Sequence, residues 1–281
     1  MILAADISGS LDAKNIVMDV LEKGEELSNL LSVIKTIVQV PKLNGTIPVM
    51  TAGAVHTDVL ELEETDVEGA DFDNIDFSLK KDRVKLAVSD EAGYRSMSGD
   101  PLEIQKRGAG RKLANALDTK IITALETTPQ TTATAGAWST STNNPMADLG
   151  LAIATIQQYG YTPDFVIMPP AVYAKYAAND YVKNAGQGNP VALKGAMATV
   201  PGTNLNIFTN SGMTAKSVLV GASDGVPGVL GQGPVKVRTW DSPHNGATVY
   251  QMDVFRQVKA PIFLNASSLN LSVYQVTSVI S

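Results

Sequence analysis

The chain has 281 residues, 22 lysines and arginines against 28 aspartates and glutamates (net charge −6), and 44% hydrophobic but only 6% aromatic residues. That length buries a real core in one or two domains, and the acidic balance disfavours a sequence-specific DNA binder, whose domain is usually basic. Cysteine is absent, which excludes disulfides and thiolate chemistry. There is no apolar run long enough for a membrane span and no basic-then-apolar leader, so the expectation is an intracellular chain without a signal peptide or membrane contact.

Residues 1–10 are small and polar and read as a loose arm. From Leu11 to about Thr36 the apolar residues Ile16, Val20, Leu27, Leu30, Leu31 and Ile34 recur at helical spacing. Gly24 interrupts them, so the segment reads as one helix or two short ones, set against the core or on a neighbouring molecule. Residues 37–49 read as extended chain, with Pro41, Gly45 and Pro48 marking turns and edges rather than a central strand.

The charge then becomes lopsided. Nine carboxylates and no lysine or arginine lie between Asp58 and Asp76: Asp58, Glu61, Glu63, Glu64, Asp66, Glu68, Asp71, Asp73 and Asp76. A basic strand, Phe77–Val88, follows at once, with Lys80, Lys81, Arg83 and Lys85, and with Val84, Leu86 and Val88 on one face. Residues 43–90 read as one long β-hairpin with a charged tip, which cannot stabilise itself alone in water. Like charges held together are costly unless something outside the segment answers them, and the expected answer is a second copy of this chain.

The best-specified helix follows. Asp100 suits an N-cap, Pro101 the first helical position and Glu103 the capping-box position. Leu113, Leu117, Ile121 and Leu125 form a stripe flanked by Ala109, Ala116 and Ala124, while Lys106, Arg107, Arg111, Lys112 and Lys120 occupy the other face. Gly108 and Gly110 suit a bend point, the close approach of another backbone, or a weak place in the helix. Residues 127–144 hold seven threonines and read as a flexible loop in which Trp138 is a packing anchor. Next come a helix from Pro145 ending at Gly160, a strand Phe165–Met168 and a helix through Tyr173 and Tyr176. Short strands at Asn206–Phe208, Ser217–Val220 and Val235–Trp240 complete an inserted α/β unit before a strand-rich tail, Thr248–Tyr274.

The search for chemistry returns little. Gly221-Ala-Ser223-Asp-Gly225 matches a nucleophile-elbow spacing after a strand, but Val226, Pro227 and Gly228 prevent the helix that motif needs, so a tight turn is the better account. The two histidines, His56 and His244, have no metal-ligand spacing, and Asp71, Asp73 and Asp76 lack the glycine turn of a calcium loop. Gly186-Gln-Gly188 and Gly231-Gln-Gly233 are short glycine turns outside any strand–loop–helix context. No cofactor, metal or catalytic residue is expected.

The order of segments resembles the major capsid proteins of tailed phages and related viruses, with the HK-type fold. Ile47-Pro48 leads into the acidic hairpin, which closes through Phe72-Asp-Asn-Ile-Asp-Phe77-Ser-Leu-Lys-Lys. Lys85-Leu-Ala-Val-Ser-Asp-Glu91 runs toward the spine-like helix Asp100–Leu125. Tyr161-Thr-Pro-Asp-Phe-Val-Ile-Met-Pro-Pro170 resembles the start of the family's axial domain, and Val254-Phe-Arg-Gln-Val-Lys-Ala-Pro261-Ile-Phe its returning peripheral strand. The likeness covers most of residues 30–270.

The resemblance implies an α+β fold with an N-terminal arm (1–42), an extended acidic hairpin loop (43–90), a peripheral domain with the spine helix (91–147 and 247–281) and an axial domain (148–246). It implies a non-enzymatic protein that self-assembles through hexamers and pentamers into an icosahedral shell around double-stranded DNA. That shell would form in the host cytoplasm and become the virion capsid. Implied partners are a scaffolding protein, a portal, a maturation protease and non-specifically held DNA. The subunit interface would join Asp58, Glu61, Glu63, Glu64, Asp66, Glu68, Asp71 and Asp73 to Lys106, Arg107, Arg111 and Lys112 of a neighbour, with Gly108 and Gly110 as a hinge. The hairpin tip has no lysine, so the lysine–asparagine crosslink of some members is not carried over, and the scaffolding segment that begins others has no counterpart in this sequence. An encapsulin-type nanocompartment is the alternative of the same fold. A soluble hydrolase built on the Gly221–Gly225 turn is the alternative of another class.

Overall fold

Two large sheets with a long helix laid across both, and a two-stranded sheet beside them, make up the computed structural model, which describes residues 4–50, 72–89, 101–127, 129–133, 136–140, 142–185, 198–242, 246–260 and 270–280. Helix α1 spans Ala4–Leu27, and strands β1 (Thr36–Gln39), β2 (Asn44–Met50), β3 (Phe72–Ser78) and β4 (Lys80–Ser89) precede helix α2 (Pro101–Thr127). Then come β5 (Pro129–Ala133), α3 (Pro145–Gln158), β6 (Phe165–Met168), α4 (Pro170–Ala178) and α5 (Asp180–Ala185). Strands β7 (Ala198–Thr199), β8 (Asn206–Thr209), β9 (Ser217–Gly221), β10 (Val229–Gln232), β11 (Lys236–Ser242), β12 (Ala247–Lys259) and β13 (Asn270–Thr277) close the chain.

The first sheet is organised by β12. It pairs antiparallel with β4 along Ala247–Arg256, with β11 along Ala247–Asp253, and with β10 along Arg256–Lys259; β1 lies parallel beyond β10. The second sheet runs β5-β13-β9-β6-β8-β7. Sheet membership therefore cuts across the expected 148–246 unit. Strands β10 and β11 from within it belong to the first sheet, while β5 and β13 from outside it join the second.

Helix α2 serves both sheets with one apolar stripe. Ala109 and Leu113 pack with Val20 and Leu21 of α1 over Leu86, Met252 and Val254 of the first sheet. Leu117, Ile121, Ile122 and Leu125 pack on Phe165, Ile167, Leu219 and Val273 of the second. Each such buried side chain is worth about 1.5–3 kcal/mol relative to exposure. The far face of the second sheet carries α3, α4 and α5, with Trp138 buried among Leu149, Ile156 and Tyr176 and its Nε1 donating to Asp148 Oδ2 at 2.7 Å. Trp138 is thus the packing anchor expected of it.

Several expectations are corrected. Residues from Ala4 are helical rather than a loose arm, and α1 is one helix through Gly24. The helix-like spacing ends at Leu27, because Thr36–Gln39 pairs with β10 as a strand. The 43–90 hairpin is two structures: β2 pairs β3, then the chain breaks at Leu79 and β4 leaves to join β12. Part of the threonine-rich 127–144 run is strand β5, because β13 offers it a partner and threonine suits a pleated surface. Gly231 is not a turn. It lies in β10, where a Cβ would stand 2.5 Å from the Phe77 ring, so its bareness seats the hairpin base, Phe77 with Ile75 and Leu79, on Val229 and Phe255.

The two helix glycines part company. A Cβ at Gly110 would lie 3.2 Å from Lys23 Cβ and 3.4 Å from the Gly24 nitrogen, so α1 and α2 meet backbone to backbone there. Gly108 faces open space and is exposed. Gly108→Ala should therefore raise stability by about 1 kcal/mol through helix propensity alone. Gly110→Leu should lower it by about 1–3 kcal/mol by prising the helices apart. Urea denaturation of the purified subunit reads both.

Candidate assembly surface

The sequence places bases on α2 and on β4, and the fold sets these two elements side by side as the walls of a groove. One face of α2 (Gln105, Gly108, Lys112, Ala116, Thr119, Thr123 and Thr127, at three- and four-residue spacing) lines two adjoining cavities of about 690 and 430 Å³. That face extends for roughly 35 Å at 1.5 Å per residue. The larger cavity is bordered by the edge of β4 from Lys81 to Leu86 and by Lys112 of α2, and the smaller by Lys80, Lys120, Arg256 and Lys259; the alternation of β4 puts Asp82 and Val84 on the α2 side and Lys81, Arg83 and Lys85 on the face of Asp253 and Trp240. Among the described lining residues the only carboxylate is Asp82.

Some of these bases are answered within the subunit. Arg83 grips the buried Asp253 with both Nε (2.7 Å) and Nη2 (3.1 Å), and this pairing pulls the Asp253 carboxyl below its usual range against its burial. Lys120 Nζ donates to Asp82 Oδ2 at 2.5 Å and to the Arg256 carbonyl at 3.3 Å. Lys85 lies over the Trp240 ring at 5.7 Å. No carboxylate among the described residues pairs with Lys80, Lys81, Lys112 or Lys259.

The expected interface residues separate. Asp58, Glu61, Glu63, Glu64, Asp66, Glu68 and Asp71 lie outside the described residues, as do Asp100, His56, His244 and Gly186-Gln-Gly188. Asp73 and Asp76 lie in β3, where Asp76 Oδ1 accepts from Thr46 Oγ1 at 2.7 Å. Arg107, Arg111 and Lys112 are exposed on α2, but Lys106 is not part of that surface. Its side chain is 9% exposed and donates to Asp19 Oδ2 at 3.0 Å and Glu103 Oε1 at 2.8 Å, while Lys23 reaches Glu103 Oε2 at 2.9 Å. This cluster clips α1 to α2.

The Gly221–Gly225 turn is structural. Ser223 is buried; its backbone N–H donates to Asp164 Oδ1 at 2.8 Å and its hydroxyl to Asp164 Oδ2, with no histidine near it among the described residues. The neighbouring Asp224 accepts from the Thr162 nitrogen at 3.0 Å, so both side chains stitch the turn to the start of β6. No group of three metal-ligating side chains occurs among the described residues, and no helix there is long and apolar enough to cross a membrane.

A family profile described as phage capsid protein matches residues 74–261, which contain β4, α2, β12 and the groove between them. The chain belongs to the phage capsid protein family. A search of curated proteins found no match. Among solved structures, this capsid protein is similar to a virus-like particle from Pyrococcus furiosus at 10% identity and a TM-score of 0.62, over 94% of this chain and 98% of that one. It is also similar to a chain from Mycobacterium phage Adephagia (13% identity, TM-score 0.60, covering 90% and 91%). The capsid of a native GTA particle gives 14% identity and a TM-score of 0.59, also over 90% and 91%. At such identities the likeness is one of fold, and that fold is the HK-type α+β architecture.

Sequence reasoning missed Arg256. The available signal was its place in the alternation Val254, Arg256, Val258, a lone guanidinium on the apolar face of a strand.

The α1–α2 clip is pH-dependent. Hydrogen bonds from Lys106 and then Lys23 hold the Glu103 carboxyl down at about 2 from an ordinary 4.5. A depressed carboxyl stabilises the fold above its unfolded value, and that contribution fades as pH falls from about 4.5 toward about 2. The wild-type capsid protein should therefore lose more stability than Glu103→Gln across that window, as urea midpoints at either end will report.

Proposed function

We propose that this capsid protein assembles through hexamers and pentamers into an icosahedral shell that encloses double-stranded DNA, and that its role is structural rather than catalytic. The family match over residues 74–261 carries the reading, because that stretch builds the helix, the strands and the basic groove. The net charge of −6 supports non-specific enclosure rather than tight DNA binding. Assembly in the host cytoplasm with a scaffolding protein, a portal and a maturation protease belongs to the same proposal. A shell storing a protein cargo is the second reading, favoured by the likeness to the virus-like particle over 94% of this chain.

Subunits join by charge. The acidic segment Asp58–Asp73 of one copy lies along α2 of its neighbour, where Arg107, Arg111 and Lys112 are exposed. Each exposed pair contributes only about 0–1 kcal/mol, but a closed shell repeats the set many times, and weak single contacts let misplaced subunits leave. Lys106 is excluded from this surface because reversing it would set three carboxylates against one another at the α1–α2 clip.

Expressed protein should form closed particles by negative-stain microscopy that protect DNA from nuclease. Particles containing only protein would favour the storage reading, and a small soluble oligomer would contradict both. The triple reversal Arg107→Glu, Arg111→Glu and Lys112→Glu should abolish closed shells and leave soluble, folded subunits. Normal shells from that variant would dismiss the pairing.

A further inference from the structure

Strand β4 has a free edge. Among the described strands it pairs only with β12, and its Lys80–Ser89 run is in register with β12 from Arg256 back to Ala247. Backbone groups along such a strand point alternately toward the partner and away from it. Two hydrogen bonds fix which do which. The Phe255 carbonyl accepts from the nitrogen of Gly233, the residue after β10, so Val254 and Arg256 are the β12 residues that turn toward β4. Their partners Asp82 and Lys80 turn inward to meet them, and by the same alternation so do Val84 and Leu86. The Ala87 carbonyl instead accepts from Gln105 Nε2 of α2 at 2.8 Å, outside the ladder. Lys81, Arg83 and Lys85 therefore present three N–H donors and three carbonyl acceptors to the open side.

The open side leads into the larger cavity of about 690 Å³ between the β4 edge and α2. Val84, Leu86, Leu113 and Ala116 give that cavity apolar walls, and an added Cβ at Gly108 would meet nothing within 4 Å. Ile104 beside them is 66% exposed, more than any other large apolar side chain described. An unpaired strand edge next to an apolar hollow is the surface on which extended peptides add to sheets.

We propose that this edge and cavity take up an extended segment of a second, different polypeptide in which acidic and aliphatic residues alternate, added to the first sheet as a sixth strand. A strand laid along β4 sends its side chains alternately to the same two faces. On one face they meet Lys81, Arg83 and Lys85, which calls for carboxylates; on the other they enter the cavity, which calls for side chains of valine or leucine size. Charge excludes β4 of a second copy as the occupant. Edge-to-edge pairing of two β4 strands would set these bases against their own kind, a device by which sheets avoid self-association. Arg107 and Arg111 do not line the cavity, so this contact is separate from the charge pairing between subunits.

The test uses the purified full-length subunit and two fluorescein-labelled peptides of one composition, glutamate and valine in strict alternation or in two blocks. By fluorescence polarisation the alternating peptide should bind roughly tenfold more tightly than the block peptide. Hydrogen exchange read at single residues should show the amides of Lys81, Arg83 and Lys85 exchanging freely in the subunit alone and slowed roughly tenfold or more by the alternating peptide, with those of Asp82 and Val84 slow throughout. Gly108→Leu fills the cavity from an open helix position and should weaken binding roughly tenfold with no loss of Tm. Lys81→Glu with Lys85→Glu should reverse the preference, toward an alternating lysine–valine peptide. Equal binding of the two glutamate–valine peptides, binding of neither, or binding that leaves the three edge amides fast would overturn the proposal. So would edge amides already slow in the dilute subunit, which puts its own chain on the edge, or slowed by raising subunit concentration alone, which puts a second copy there. No assembled particle is needed, so this result and the shell reading stand or fall separately.

Discussion

One apolar stripe on α2 has to satisfy two sheets, and the rest of the structure follows from that. Leu113 and its neighbours rest on the first sheet; Leu117, Ile121 and Leu125 rest on the second. A helix committed on that stripe has no freedom to rotate, because a turn about its axis would expose several large aliphatic side chains at once. Its opposite flank is therefore fixed too, and with it the position of Lys112 and Lys120 across from β4. The groove is a consequence of packing before it is a consequence of charge.

Charge is then sorted rather than balanced. The described body pairs its buried or strategic ions locally: Arg83 with Asp253, Lys106 with Asp19 and Glu103, Lys120 with Asp82. Lys80, Lys112 and Lys259, which have no ion-pair partner among the described residues, lie along the groove, while the acids of residues 58–71 have no base among them. We propose that this sorting keeps copies from associating at random and favours one arrangement of neighbours. The α1–α2 clip adds a local lock of the same kind, tightened by the glycine-to-glycine approach at Gly24 and Gly110.

Much of this was legible in the sequence, and the misreadings have physical causes. The stripe and first-turn residues of α2 announced a helix close to its observed bounds, and the apolar runs at Phe165–Met168 and Ser217–Val220 announced buried strands. Trp138 was recognised as an anchor because a large indole in a polar run has few other ways to be stable. The acidic and basic blocks were visible as composition, but not the wall they form, which depends on β4 leaving the hairpin for β12. Lys106 looked like its exposed neighbours; only the arrival of α1 on that side buries it. Sheet membership was hidden for β5, β10 and β11, since long-range pairing leaves little mark on a short strand. Gly231 looked like a turn because its use, making room for the Phe77 ring, is a tertiary fact.

The account stands on the claim that the acidic segment of one capsid subunit finds its complement on another. An electron cryo-microscopy reconstruction of the closed particle measures this directly. The account predicts that residues 58–71 of each copy trace along α2 of an adjacent copy, with carboxylates in contact with Arg107, Arg111 and Lys112. A reconstruction in which that segment folds back on its own subunit, or in which those three bases face solvent, would contradict it.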